Sequence, residues 1–89
     1  MKKTYLEVTF CHGRPMAAYL YLPRATNDKS HRMLQTDPGM IIDYTESGKP
    51  IGIEITAPSK VTANDLNRVL ASIGASVLTS DDVAPLKAA

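Results

Sequence analysis

At 89 residues, 44% hydrophobic and 21% charged, the chain can build one core and not two. Surface scaling gives about 9,000 Å² removed from water on folding, or roughly 130 kcal/mol of apolar burial, which conformational entropy at ~1.5 kcal/mol per residue offsets almost completely. Ten Lys and Arg against nine Asp and Glu leave a net charge of +1, which excludes coating duplex nucleic acid by charge alone.

The ordinary apolar fraction excludes a disordered chain. A single cysteine, Cys11, excludes an internal disulfide and a multi-cysteine zinc site. Met1-Lys2-Lys3 imitates the basic start of a signal peptide, but Glu7, His12 and Arg14 follow before any long apolar stretch. The longest uncharged run, 69–80, is too short to span a bilayer. The expectation is a cytoplasmic protein with no membrane partner.

Residues 4–11 alternate, with Leu6, Val8 and Phe10 on one face and Tyr5, Glu7, Thr9 and Cys11 on the other, as a half-buried strand does. His12-Gly13-Arg14-Pro15 is a turn. Alternation resumes over 16–22, with Met16, Ala18, Leu20 and Leu22 facing one way and Ala17, Tyr19 and Tyr21 the other. Pro23, which cannot donate to a ladder, ends that strand. A polar loop spans 24–30, and 31–36 is a weaker strand in which either Met33 or Leu34 points inward. Asp37-Pro38-Gly39 is a turn, with a bulge expected because the type II geometry that suits Pro-Gly splays a tight hairpin.

Residues 40–44 and 50–56 form the clearest hairpin, joined through Glu46-Ser47-Gly48-Lys49. Matching the isoleucines sets Ile42 opposite Ile53, which places Gly52 opposite Asp43 and makes Asp43 and Glu54 diagonal neighbours on the other face. The absent Gly52 side chain is expected to admit a neighbouring ring or backbone. After Pro58 the period changes. Thr62-Ala63-Asn64-Asp65 reads as a capping box, Leu66, Val69, Leu70 and Ile73 form one stripe, and Gly74 stands at the helix end. A second cap is expected at Thr79 or Ser80, with Pro85 limiting any helix there to about one turn.

The fold class is therefore α+β in a single domain, 1–89. An antiparallel, meander-like sheet of four or five strands occupies 1–56. One C-terminal amphipathic helix, 62–73, packs on one face, and a tail follows over 75–89. The expected core joins the helix stripe to Leu6, Val8, Phe10, Leu20, Ile42, Ile51, Ile53 and Ile55.

Three stretches carry a resemblance: Ala18-Tyr19-Leu20-Tyr21-Leu22, Gly39-Met40-Ile41-Ile42-Asp43-Tyr44 and Gly48-Lys49-Pro50-Ile51-Gly52-Ile53-Glu54-Ile55. Over roughly 5–59 the chain resembles the domain-of-unknown-function 2283 family, small prokaryotic or phage proteins built on an A-L-Y-I strand and a G-x-x-x-D-Y-x-x-x-G-x-x-x-G-I-E-I hairpin. Family members often carry acids just before the first strand motif, where this chain has Arg14, Pro15, Met16 and Ala17. The family supplies no activity. Its similarity to families encoded beside toxin-like partners implies protein binding.

Asp43 and Glu54 could bind a metal or work as acid and base, yet no convergent histidines or Gly-rich loop accompany them. The plainer reading sets them on a solvated face, paired with Lys49, Arg14 or Arg32. Cys11 and His12 point to opposite faces of a strand and cannot activate one another, while His31 reaches Cys11 only if the first and third strands are neighbours. No catalytic residue, metal ligand or cofactor is therefore expected.

Tyr5, Tyr19 and Tyr21, with a basic rim of Arg14, Arg24, Lys29 and Arg32, resemble the platforms that stack single-stranded RNA. Glu7, Asp43 and Glu54 share that face and would repel phosphate. Tyr5, Tyr19, Tyr21 and Ile41 make a face too apolar for open water, and such patches mark protein contacts. The expected partners are a second copy, in a homodimer, and another protein. RNA binding is the alternative, and a metal-dependent enzyme using Asp43 and Glu54 comes third.

Overall fold

The computed structural model describes residues 4–36, 39–79 and 81–84. Five strands form one antiparallel sheet: β1 (Tyr5–Cys11), β2 (Arg14–Tyr21), β3 (Arg32–Gln35), β4 (Met40–Tyr44) and β5 (Pro50–Ile55). A 3-10 turn (Pro58–Lys60) then leads into α1 (Ala63–Ser72). The expected turn residues Asp37 and Pro38, and the tail residues Ser80 and Pro85, lie outside the described residues.

The strand order is β1-β2-β5-β4-β3, which corrects the meander. After β2 the chain crosses to the far edge for β3 and returns through β4, so that β5 closes against β2. Burial explains this arrangement. Leu20 on β2 and Ile51, Ile53 and Ile55 on β5 are fully buried, as central strands require, whereas all four β3 residues are exposed and belong at an edge. Ile42 pairs with Ile53 and Asp43 with Gly52, as the isoleucine matching predicts. Met33 and Leu34 are opposite Asp43 and Ile42, so they point to different faces, but at the edge neither is buried.

His12 and Gly13, both with positive φ (53° and 77°), close the first hairpin as a two-residue turn whose twist matches the strands. The expected burial of Phe10 is corrected here, as is the shared facing of Met16 with Ala18 and Leu20. Register shifts between Thr9 and Phe10, leaving Met16 unpaired, so Phe10 stays 45% exposed and Met16 58%. A bulge reverses the alternation, and nothing in the apolar pattern of either strand announces it.

Thr62 caps α1 by accepting from the Asp65 N–H at 3.0 Å, and Asp65 returns the bond to the Thr62 N–H. Those bonds hold the Asp65 carboxyl below its ordinary range. At the other end Ala75 N–H reaches Leu70 O and Gly74 N–H reaches Ala71 O, with Gly74 at φ 76°, a Schellman end at the expected glycine. Leu66, Val69 and Leu70 are buried in one cluster with Leu20, Ile42, Ile53 and Ile55, while Leu6, Val8 and Ile73 pack at its margin.

The tail adds a core residue that periodicity could not find. Asn67 exchanges two hydrogen bonds with the Leu78 backbone, and Thr79 and Asp82 form a second reciprocal cap, which together seat Val83 in the core. Among the described residues no helix is long and apolar enough to cross a membrane.

Candidate functional site

A strand's period of two sends Tyr19 and Tyr21 away from α1, together with Tyr5 and Glu7 on β1, Gly52 and Glu54 on β5, and Ile41 and Asp43 on β4. Tyr21 lies between Tyr5 and Gly52 in the sheet, and Tyr19 between Glu7 and Glu54. The Tyr5 and Tyr21 rings stack at 4.4 Å and 15°, and Tyr19 meets Tyr21 edge-on at 4.7 Å. The Arg24 guanidinium lies 5.6 Å from the Tyr21 centroid, and the Tyr21 hydroxyl donates to Glu7 Oε1 at 3.2 Å.

The Tyr19 ring leans across Gly52, as expected of a ring admitted by a missing side chain. Its hydroxyl donates to Asp43 Oδ2 at 2.7 Å. Burial first, and then the bond and charge of Asp43, push the Tyr19 hydroxyl well above the ordinary tyrosine range. This hydroxyl is a fixed donor and not a base.

Asp43 is not where the plainer reading set it. Asp43 is only 6% exposed, not solvated, and its partner is Tyr19. Lys49 is taken by Asp28 at 2.7 Å, in a loop-to-hairpin ion pair. Burial, followed by the charge and hydrogen bonding of Asp43, raises the Glu54 carboxyl above its ordinary value. Among the described residues no three acids, histidines or cysteines come together to hold a metal ion.

The basic rim divides. Arg24 joins the tyrosines, Arg14 sits at the tip of the β1–β2 hairpin opposite Cys11, and Arg32 lies 5.9 Å from the Tyr44 ring on edge strand β3. Lys29 lines a separate open cleft of about 630 Å³ between residues 27–31 and 45–47. Cys11 and His31 stay apart, because β1 and β3 are the two outer edges of the sheet. Glu7 as the partner of Tyr21 is a contact that sequence reasoning misses. Its signal lies in the β1–β2 register, which sets the two residues diagonally across the same face.

Fold and face together define a small α+β protein with one sheet face under a helix and the other carrying a tyrosine–carboxylate cluster. Residues 17–58, just under half of the chain, match the family described as Protein of unknown function (DUF2283), the family whose motifs the sequence carries. Tyr19, Asp43, Gly52 and Glu54 lie inside the match, whereas Tyr5, Glu7 and α1 lie outside it. No curated protein and no solved structure matches the chain.

Proposed function

We propose that the protein is a small non-enzymatic binding module, antitoxin-like or an accessory subunit, that docks other proteins on its tyrosine face in the cytoplasm. The observation that carries this reading is the stacked Tyr5–Tyr21 pair on the side of the sheet away from α1. The Tyr21 ring is already fixed by Glu7 and by its neighbours, so little side-chain freedom remains to be lost on docking. Tyrosines so placed suit interface hot spots, and Arg24 beside them suits a steering rim. The same face carries Glu7, Asp43 and Glu54, which oppose a phosphate backbone.

The simplest occupant is a second copy. Light scattering at micromolar concentration is expected to give twice the chain mass for the wild type and the single mass for Tyr21→Ala. A wild-type monomer throughout the accessible range would remove the homodimer.

Salt separates the protein and RNA readings. An apolar protein interface should lose little affinity between 50 and 200 mM salt, whereas phosphate contacts release counterions and weaken steeply. Binding of single-stranded RNA at physiological salt that is lost in Arg24→Ala with Arg32→Ala would overturn the proposal. So would turnover by a metal-loaded sample that disappears in Asp43→Asn.

A further inference from the structure

Asp43 and Glu54 sit diagonally across β4 and β5, Asp43 opposite Gly52 and Glu54 opposite Ile41. The Tyr19 hydroxyl satisfies Asp43 Oδ2, but Asp43 Oδ1 is buried with no hydrogen-bond partner, alone in this among the side-chain atoms of the described residues. The register sets the Glu54 carboxyl diagonally beside Asp43 on the same face of the sheet. Two ionised carboxylates only accept, so neither can satisfy the other, and their like charges would meet in a half-dry site. One proton removes both problems.

We infer that Asp43 and Glu54 form a proton-binding site, in which a protonated Glu54 carboxyl donates to Asp43 Oδ1 and the pair carries one negative charge instead of two. Every element around the pair is consistent with this. From β2, Tyr19 donates to the other Asp43 oxygen, and Arg24 beyond the end of that strand stands by the tyrosine rings. From β1, Glu7 pairs with Tyr19 and adds a third acid, its own carboxylate engaged by Tyr21. From β3, Met33 is opposite Asp43 and carries no charge. No cation that would neutralise two carboxylates is bonded to either one among the described residues: Lys49 is held by Asp28, and Arg68 pairs with Asp65.

The consequence is a tyrosine face whose charge depends on pH. Burial and the neighbouring Asp43 keep the proton on Glu54 above the ordinary glutamate value of 4.5. The folded chain then binds more protons than the unfolded one from that value upward. Stability is therefore full below it and falls as pH rises through the folded value. The inference stands independently of what docks on the face.

Thermal unfolding of the wild type and Glu54→Gln from pH 4 to 8.5, at constant ionic strength, tests it. The glutamine amide donates to Asp43 Oδ1 at every pH. The wild-type midpoint should therefore fall relative to that of Glu54→Gln as pH rises across the window. Parallel curves would overturn the inference. So would magnesium or calcium raising the wild-type midpoint at pH 8 but not that of Glu54→Gln, since the pair would then be a cation site. A carbon-13 titration of the Glu54 carboxyl in the wild type gives a second readout that needs no variant to fold. A midpoint above 4.5 supports the inference, and one at or below 4.5 overturns it.

Discussion

Leu70→Asp is expected to leave the chain unfolded at room temperature. Leu70 is fully buried on α1 and belongs to the cluster that joins the helix to Leu20, Ile53 and Ile55. Removing the leucine forfeits about 2–5 kcal/mol of packing, and an unpaired carboxylate in its place adds several more. A domain of this size has only about 5–15 kcal/mol to lose. Circular dichroism with a urea titration reads the outcome, and Ala71→Asp, one residue along on the exposed side, is the control and should cost only about 1 kcal/mol, from lost helix propensity and an acid in the last turn. A cooperative Leu70→Asp transition at the wild-type midpoint would mean that α1 is not docked on the sheet.

Much of this fold is legible because its signals are local. The isoleucine spacing determines the β4–β5 register, Thr62 and Asp65 start the helix, and Gly74 ends it. Strand order is not legible in the same way. A hairpin announces itself through its turn, whereas β2 and β5 meet across a long sequence separation, and only their shared burial selects the pairing. The bulge that exposes Phe10 and the tether that buries Val83 escape for a related reason, since each depends on contacts outside the window in which a period can be counted.

The site divides along the same line. Register alone brings Asp43, Gly52, Glu54, Tyr19 and Tyr21 to one face, and that much follows from the sequence. That Asp43 is buried does not, because burial comes from the Tyr19 ring leaning across β5 from β2. The basic rim fails as a cluster because closeness in the chain is what groups its members, while the loop after β2 carries Lys29 and Arg32 away from the face on which Arg24 remains.

Gly52→Ala, a single added methyl group, is expected to cost about 3 kcal/mol. Gly52 is not in the left-handed region, so its backbone would accept alanine, and space alone excludes the side chain. A Cβ there would collide with the hydroxyl, Cζ and Cε2 of Tyr19. The ring must swing away, at ~1–3 kcal/mol for overpacking. Asp43 then loses its 2.7 Å donor, a charge-assisted hydrogen bond whose removal adds about 1–3 kcal/mol. Replacing glycine in a strand returns roughly 0.5–1 kcal/mol through a less flexible unfolded chain. At about 4–8 °C per kcal/mol, the midpoint should fall by about 15 °C. A double-mutant cycle assigns the cause. With Tyr19→Ala already in place the collision partner is gone, so Gly52→Ala should cost nothing or stabilise slightly. An equal loss in both backgrounds would show that something other than the Tyr19 ring requires the glycine, and the Tyr19–Asp43 bond would lose its role as the contact that shapes this face.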